Sequence, residues 1–255
     1  MILIKSSKEI EYMRESGRIV GVALNEIEKA IRPGITTHEL DRIANDVLKH
    51  EGAIPSFKGQ EGFEGSDPYP ATICASVNNQ VIHGIPDSYA LKEGDIISID
   101  MGAIKNGYHG DAARTFAVGE ISKEAQKLID VTRESFFNGI KFAKVGNRVS
   151  DISHAVQEYV ESFGFSVVRD FVGHGVGKEL HEEPEVPNFG RPGHGPRLEK
   201  GMVIAVEPMV NTGKYDIDIL NNGWTVVTKD GSLSAHYENT IVITDGEPEI
   251  LTLIK

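Results

Sequence analysis

The sequence is short of several things, and each shortage narrows what the chain can be. It holds one cysteine, Cys74, so no internal disulfide can form and a reducing compartment suits it. No apolar run is long enough to cross a bilayer, and the opening residues MILIKSSKEIEYMRESG carry too short an apolar stretch for a secretory signal. Positive charge is in deficit. Lys and Arg number 26 against 38 Asp and Glu, a formal net charge of -12, so bulk attraction to nucleic acid or an anionic membrane is not expected. Common chemical motifs are missing too. There is no Gly-x-Ser-x-Gly elbow for a serine nucleophile. Gly173-His174-Gly175-Val176-Gly177 lacks the lysine-hydroxyl pair of a phosphate loop at the right spacing, and no Gly-x-Gly-x-x-Gly follows a strand. The expectation is a cytoplasmic protein.

What is present reads as a mixed α+β chain. At 255 residues it is one large domain or two fused halves, with 40% apolar and 25% charged residues. Helices are expected over 7–31, 37–51, 122–144 and 150–163 from their apolar period and from stops at Gly34, Gly52, Gly146 and Gly164. Loops rich in glycine and proline are expected over 52–70 and 181–196. The most informative stretch is Leu91 to Glu120. Ile96-Ile97-Ser98-Ile99 is apolar and β-branched and ends in Asp100. Asn106-Gly107 is a strong hairpin signal, because both residues accept positive φ. If they form the turn, residues whose numbers sum to 213 face each other. Asp111 then lies opposite Gly102 and diagonal to Asp100, with Cβ atoms roughly 7 Å apart or less. Gly102 leaves space between the two acids.

The second half repeats the first. LKEGDIISID (Leu91 to Asp100) matches LEKGMVIAVE (Leu198 to Glu207), and HGDAARTFAVG (His109 to Gly119) matches HYENTIVITDG (His236 to Gly246). Asp100 thus corresponds to Glu207, and Asp111 to Glu238. Halves of about 4–120 and 121–250, each of two helices and a small sheet, would bring these four acids together near a pseudo-twofold axis. Like charges about 4 Å apart repel by roughly 4 kcal/mol at an effective dielectric near 20. Two divalent cations would neutralise the four carboxylates, and such pairs serve aminopeptidases and phosphatases. Taken singly, an Asp at a strand end is more often a solvated edge residue. Four acids at repeat-related positions are harder to explain that way. On spacing alone His83 and His174 read as loop residues, as do His109, His154, His194 and His236.

The motifs Asn78-Asn79-Gln80-Val81-Ile82-His83-Gly84, Asp100-Met101-Gly102, Tyr108-His109-Gly110-Asp111, Gly173-His174-Gly175, His181-Glu182-Glu183-Pro184, Glu207-Pro208 and Glu238-Asn239-Thr240 resemble those of the M24 metallopeptidases. Among these, the short bacterial methionine aminopeptidases are the most similar, over nearly the whole chain. The resemblance implies a single catalytic domain of pita-bread fold spanning 1–255. It implies that Asp100, Asp111, His174, Glu207 and Glu238 ligate two divalent ions (cobalt, manganese, iron or zinc), with Asp111 and Glu238 bridging. A bridging hydroxide would attack the peptide carbonyl, and Glu207 would pass a proton to the leaving amine. His83 and His181 would contact the substrate amide. Tyr69, Cys74 and Trp224 would line a methionine pocket, and Leu180 stands where the family pattern has an aromatic residue. A monovalent cation near Asn78, Gln80 and Ser234 is implied as well. The activity implied is removal of the initiator methionine from nascent chains with a small second residue. The enzyme would be a monomer with transient ribosome contact and no membrane or nucleic-acid preference. Two rival readings are a proline-specific aminopeptidase of the same fold and a binding protein without catalysis.

Overall fold

Asn106 and Gly107 adopt φ of 54° and 76° and turn the chain between two ten-residue strands. The register is the expected one: Gly102 pairs with Asp111 and Asp100 with Ala113. The face above Gly102 is not open space between the acids, however. A Cβ there would stand 2.7 Å from Ser56, so glycine is needed for the close approach of that segment.

The computed structural model describes residues 1–62 and 66–254. Its elements run α1 Ser7–Ala30, α2 Thr37–Glu51, β1 Ile54–Pro55, β2 Ile73–Val77, β3 Gln80–Ile82, β4 Ile96–Lys105 and β5 Tyr108–Ala117. Then follow α3 Lys123–Ile140, α4 Val149–Ser162, β6 Ser166–Val167, β7 Gly173–Gly175, β8 Glu182–Val186 and β9 Val203–Val206. The chain ends with β10 Met209–Asn211, β11 Ile217–Ile219, β12 Val226–Thr228, β13 Ser234–His236, β14 Asn239–Val242 and β15 Glu249–Ile250. Strand β4 pairs with β1, β2 and β5, while β15-β14-β9-β7-β8 form a second antiparallel sheet. No described helix is long and apolar enough to cross a membrane.

The four helices fall where the apolar period puts them. The first two begin one residue beyond their caps. Ser6 and Thr36 accept from the backbone N–H of Glu9 and Glu39, whose carboxylates accept from the cap N–H in return. Helix α3 stops at Ile140 rather than Lys144, because its end tightens into i to i+3 bonds from Phe142 and Ala143. The segment 181–196 is not all loop. Strand β8 pairs with β7, where a Cβ on Gly175 would lie 2.2 Å from the Glu183 carbonyl. Residues 63–65 of the loop expected over 52–70 lie outside the described residues.

Helices α1 and α2 cover the hairpin. Val20, Leu24, Ile27 and Leu40 pack with Ile97, Ile99 and Met101 in one core. Phe136 and Ile152 pack with Ile204 and Ile241 in a second. The two sheets meet between β5 and the segment joining β13 to β14. Glu238 N–H donates to the Ala113 carbonyl at 2.9 Å, and Ala113 N–H returns the bond at 3.3 Å. Thr240 Oγ1 adds a second tie, accepting from Asp111 N–H and donating to the Asp111 carbonyl.

Candidate active site

That seam sets five acidic and imidazole side chains facing one another. Asp100 projects from β4 and Asp111 from β5. His174 is the middle residue of β7, Glu207 follows β9, and Glu238 lies just beyond β13. Asp111 and Glu238 are almost wholly buried, Glu207 is buried, and Asp100 and His174 are partly exposed. His174 Nε2 lies 3.5 Å from Glu207 Oε1 and 3.9 Å from Asp111 Oδ2. Donor atoms of Asp111, His174 and Glu238 all fall within 4.8 Å of one another.

Such a cluster is costly without a cation. Burial, together with the neighbouring acids, pushes Asp100, Glu207 and Glu238 well above the ordinary carboxylate range, and burial raises Asp111 as well. Burial also pulls His174 down to about 3, with His181 adding to the effect. Asp100 Oδ1, Asp111 Oδ1 and Glu238 Oε1 are buried with no hydrogen-bond partner among the described residues. Natural proteins rarely leave such atoms unpaired. Unpaired oxygens plus neutral imidazole form a donor set that fits one or two first-row divalent ions.

One residue here was not anticipated. His236 reads as a loop residue in the sequence, yet it ends β13 and is 1% exposed. Its Nε2 lies 3.6 Å from Glu207 Oε2 and 3.9 Å from Glu238 Oε2. Period two along an extended chain, counted back from Glu238, would have placed it on the same face. His109 lies in β5 and His154 in α4, also not in loops, while His194 is in a connecting segment. Ser56 Oγ meets His109 Nδ1 at 2.9 Å, which accounts for that ring.

The acids line a cleft of about 570 Å³, and so do His83, His181, Tyr69, Cys74, Leu180 and Trp224. His83 sits at φ 57°, edge-on to Trp224 and Phe171 at centroid distances of 6.1 and 5.7 Å. His181 packs edge-on to His174 at 4.4 Å. Burial brings His83 down to about 4 and lowers His181, so both rings are neutral near pH 7. Tyr69 stacks edge-on against Trp224 at 5.0 Å and donates its hydroxyl to the carbonyls of Ile73 and Gly84. With buried Cys74 and Leu180 these rings make one apolar wall. Asn78, Gln80 and Ser234 sit outside this lining. Ser234 N–H donates to the Asn78 carbonyl, the Asn78 amide bonds Asp95 and Ile96, and Gln80 Oε1 accepts from Val77 N–H.

Comparison with known proteins gives the site a context. A family model described as metallopeptidase family M24 matches residues 11–245. The chain is 64% identical over 254 residues to a methionine aminopeptidase of Clostridium acetobutylicum, covering 99% of each protein. A crystal structure of methionine aminopeptidase from Thermotoga maritima superposes with a TM-score of 0.96 at 47% identity, covering 100% of both chains. A prolidase from Pyrococcus furiosus shares the fold at a TM-score of 0.77 and 22% identity, over 99% of this chain and 66% of its own. The fold common to these proteins is the pita-bread arrangement that the sequence motifs imply.

Proposed function

The chain belongs to metallopeptidase family M24, and from that premise we propose that it removes the amino-terminal methionine of new polypeptides whose second residue is small. The observation that carries this reading is the convergence of Asp100, Asp111, His174, Glu207 and Glu238 in an apolar-walled cleft. It occurs in a chain whose full-length relatives are named methionine aminopeptidases. These five side chains would hold two divalent ions drawn from cobalt, manganese, iron or zinc. Bound there, the ions supply Lewis acidity, which makes water a nucleophile near neutral pH and polarises the scissile carbonyl.

The rest of the chemistry falls to side chains. Glu207, whose Oε1 lies 3.5 Å from His174 Nε2, would take a proton from attacking water and return it to the leaving amine. His83 and His181, both neutral, each offer one ring N–H to the oxygen that gains charge. Tyr69, Cys74 and Trp224 offer an apolar, partly aromatic wall to a thioether side chain. Leu180 adds aliphatic surface to the same wall. The single domain would be built of two halves, about 4–120 and 121–250, that meet at Ala113 and Glu238. A monomer in the cytoplasm, meeting nascent chains as they leave the ribosome, completes the reading. A monovalent cation beside Asn78, Gln80 and Ser234 would brace the β3 turn.

A peptide panel tests the substrate class. Metal-repleted protein is expected to release methionine from Met-Ala-Ser, poorly from Met-Leu-Ser, and to leave Ala-Pro-Gly intact. Release of alanine from Ala-Pro-Gly without cleavage of Met-Ala-Ser would assign a proline-specific activity instead. Cleavage of neither peptide would revive the reading of a binding protein.

A further inference from the structure

We propose that His236 is a sixth metal ligand, giving the Asp100 side of the centre an imidazole of its own. The inference rests on the dinuclear reading above and concerns which atoms hold the second ion. Its strongest support is the state of the ring. His236 is 1% exposed, and neither Nδ1 nor Nε2 has a hydrogen-bond partner among the described residues. Leaving a buried polar group unpaired is costly, so a ring without partners calls for one. The backbone that carries the ring is nevertheless pinned. Thr115 Oγ1 donates to the His236 carbonyl at 2.8 Å and accepts from its N–H at 2.9 Å, and Met209 pairs with it across β10.

The distances suit a shared cation better than a hydrogen bond. At 3.6 and 3.9 Å, Nε2 is beyond hydrogen-bond reach of Glu207 and Glu238. Two ligand atoms each about 2.1 Å from one ion stand roughly 3.0–3.4 Å apart in octahedral or tetrahedral geometry. Closing a few tenths of an ångström around an ion brings these donors to that spacing. Donor atoms of Asp100, His236 and Glu238 already lie within 4.8 Å of one another, as do those of Asp111, His174 and Glu238. The two trios share Glu238, and each combines two carboxylates with one imidazole. In the first trio, Asp100 Oδ1 and Glu238 Oε1 are unpartnered as well.

The repeat supplies a control within the chain. His109 occupies the matching position in the first half, and its Nδ1 is engaged by Ser56 Oγ. His236 has no such partner. The chemical consequence is a change in metal preference. A position built from carboxylates alone favours hard ions such as magnesium or manganese, whereas an imidazole moves it towards iron, cobalt and zinc.

The test is X-ray absorption on wild-type protein loaded with two equivalents of Co²⁺, together with calorimetric Co²⁺ titration of wild type and His236→Gln. The expected spectrum shows two imidazoles across two ions. The expected titration shows the variant keeping one tight equivalent while the other weakens by at least about 10- to 100-fold, since outer partners alone are worth that much. One imidazole across two ions, or two unchanged equivalents in the variant, would overturn the inference and leave the dinuclear reading standing. Failure of wild type to bind any divalent ion would remove both. Should His236→Gln not fold, as read by circular dichroism, the wild-type spectrum decides alone.

Discussion

Replacing Asp111 with Asn should stabilise the metal-free protein, the opposite of what a buried substitution ordinarily does. Donor oxygens of Asp111 and Glu238 lie within 4.8 Å. At an effective dielectric of 20, two charges at that distance repel by about 3.5 kcal/mol. Burial raises the Asp111 carboxyl from 3.8 to about 8, and burial together with the Asp111 charge pushes Glu238 well up, so the folded protein limits the repulsion by taking up protons. A group whose folded pKa is raised binds protons that the unfolded chain has already released. Stability of the metal-free wild type therefore falls as pH rises from about 4 to about 8. Asn removes one charge and its titration and supplies an N–H for the acids around it. We expect a gain of about 1–3 kcal/mol at pH 8, or roughly 2–10 °C in Tm, fading towards pH 4. The assay is urea unfolding after EDTA treatment at pH 5 and 8, repeated with Mn²⁺. Saturation at 100 times Kd should add about 2.7 kcal/mol to wild type and much less to the variant. A variant that is less stable than wild type at pH 8 without metal would refute the argument that these acids strain one another.

Other substitutions probe separate parts of the account. His83→Ala should lower kcat by about 10²–10³-fold with an unchanged melting curve, through loss of one donor to the developing oxyanion; unchanged kcat would remove His83 from the chemistry. Trp224→Ala strips the ring that packs on Tyr69 and His83, and kcat/KM for methionyl peptides should fall by about 10- to 100-fold. A second residue of unchanged selectivity in that variant would confine Trp224 to the methionine wall. Glu9→Ala removes the side-chain half of the capping box of α1 and the acceptor of the Tyr108 hydroxyl, so stability should drop by about 1 kcal/mol at pH 7. The Ser6 and Tyr108 hydrogen bonds hold Glu9 near 2, so this difference should shrink as pH falls from about 4.5 towards 2, as read by urea unfolding.

The central hairpin was legible because two local rules agree. Asn106-Gly107 fixes the turn, and the strict period of two then fixes every facing pair, Gly102 with Asp111 included. The four helices were legible from their apolar period, with ends off by a few residues where caps and tight last turns decide. Short strands such as β8, β10 and β11 were not. Three to five residues bounded by glycine and proline carry no period, and β8 exists because the Gly175 backbone accepts its close approach. The acids were found through the repeat, a signal independent of any single position. His174 has no such signal, because glycines on both sides look like a loop, and its role comes from the family resemblance. His236 belongs to no recognised ligand motif, although it stands two residues before Glu238 on an extended chain. The lack of a hydrogen-bond partner for its ring is a property of tertiary packing and cannot be read from spacing.

The most direct measurement is the release of free methionine from Met-Ala-Ser by EDTA-stripped protein titrated with Mn²⁺, with Glu207→Gln alongside. The account predicts no release without metal, a rise that saturates between one and two equivalents, and a Glu207→Gln variant that turns over at least about 100-fold more slowly. Full release from the stripped protein, or near-normal turnover by the variant, would contradict it.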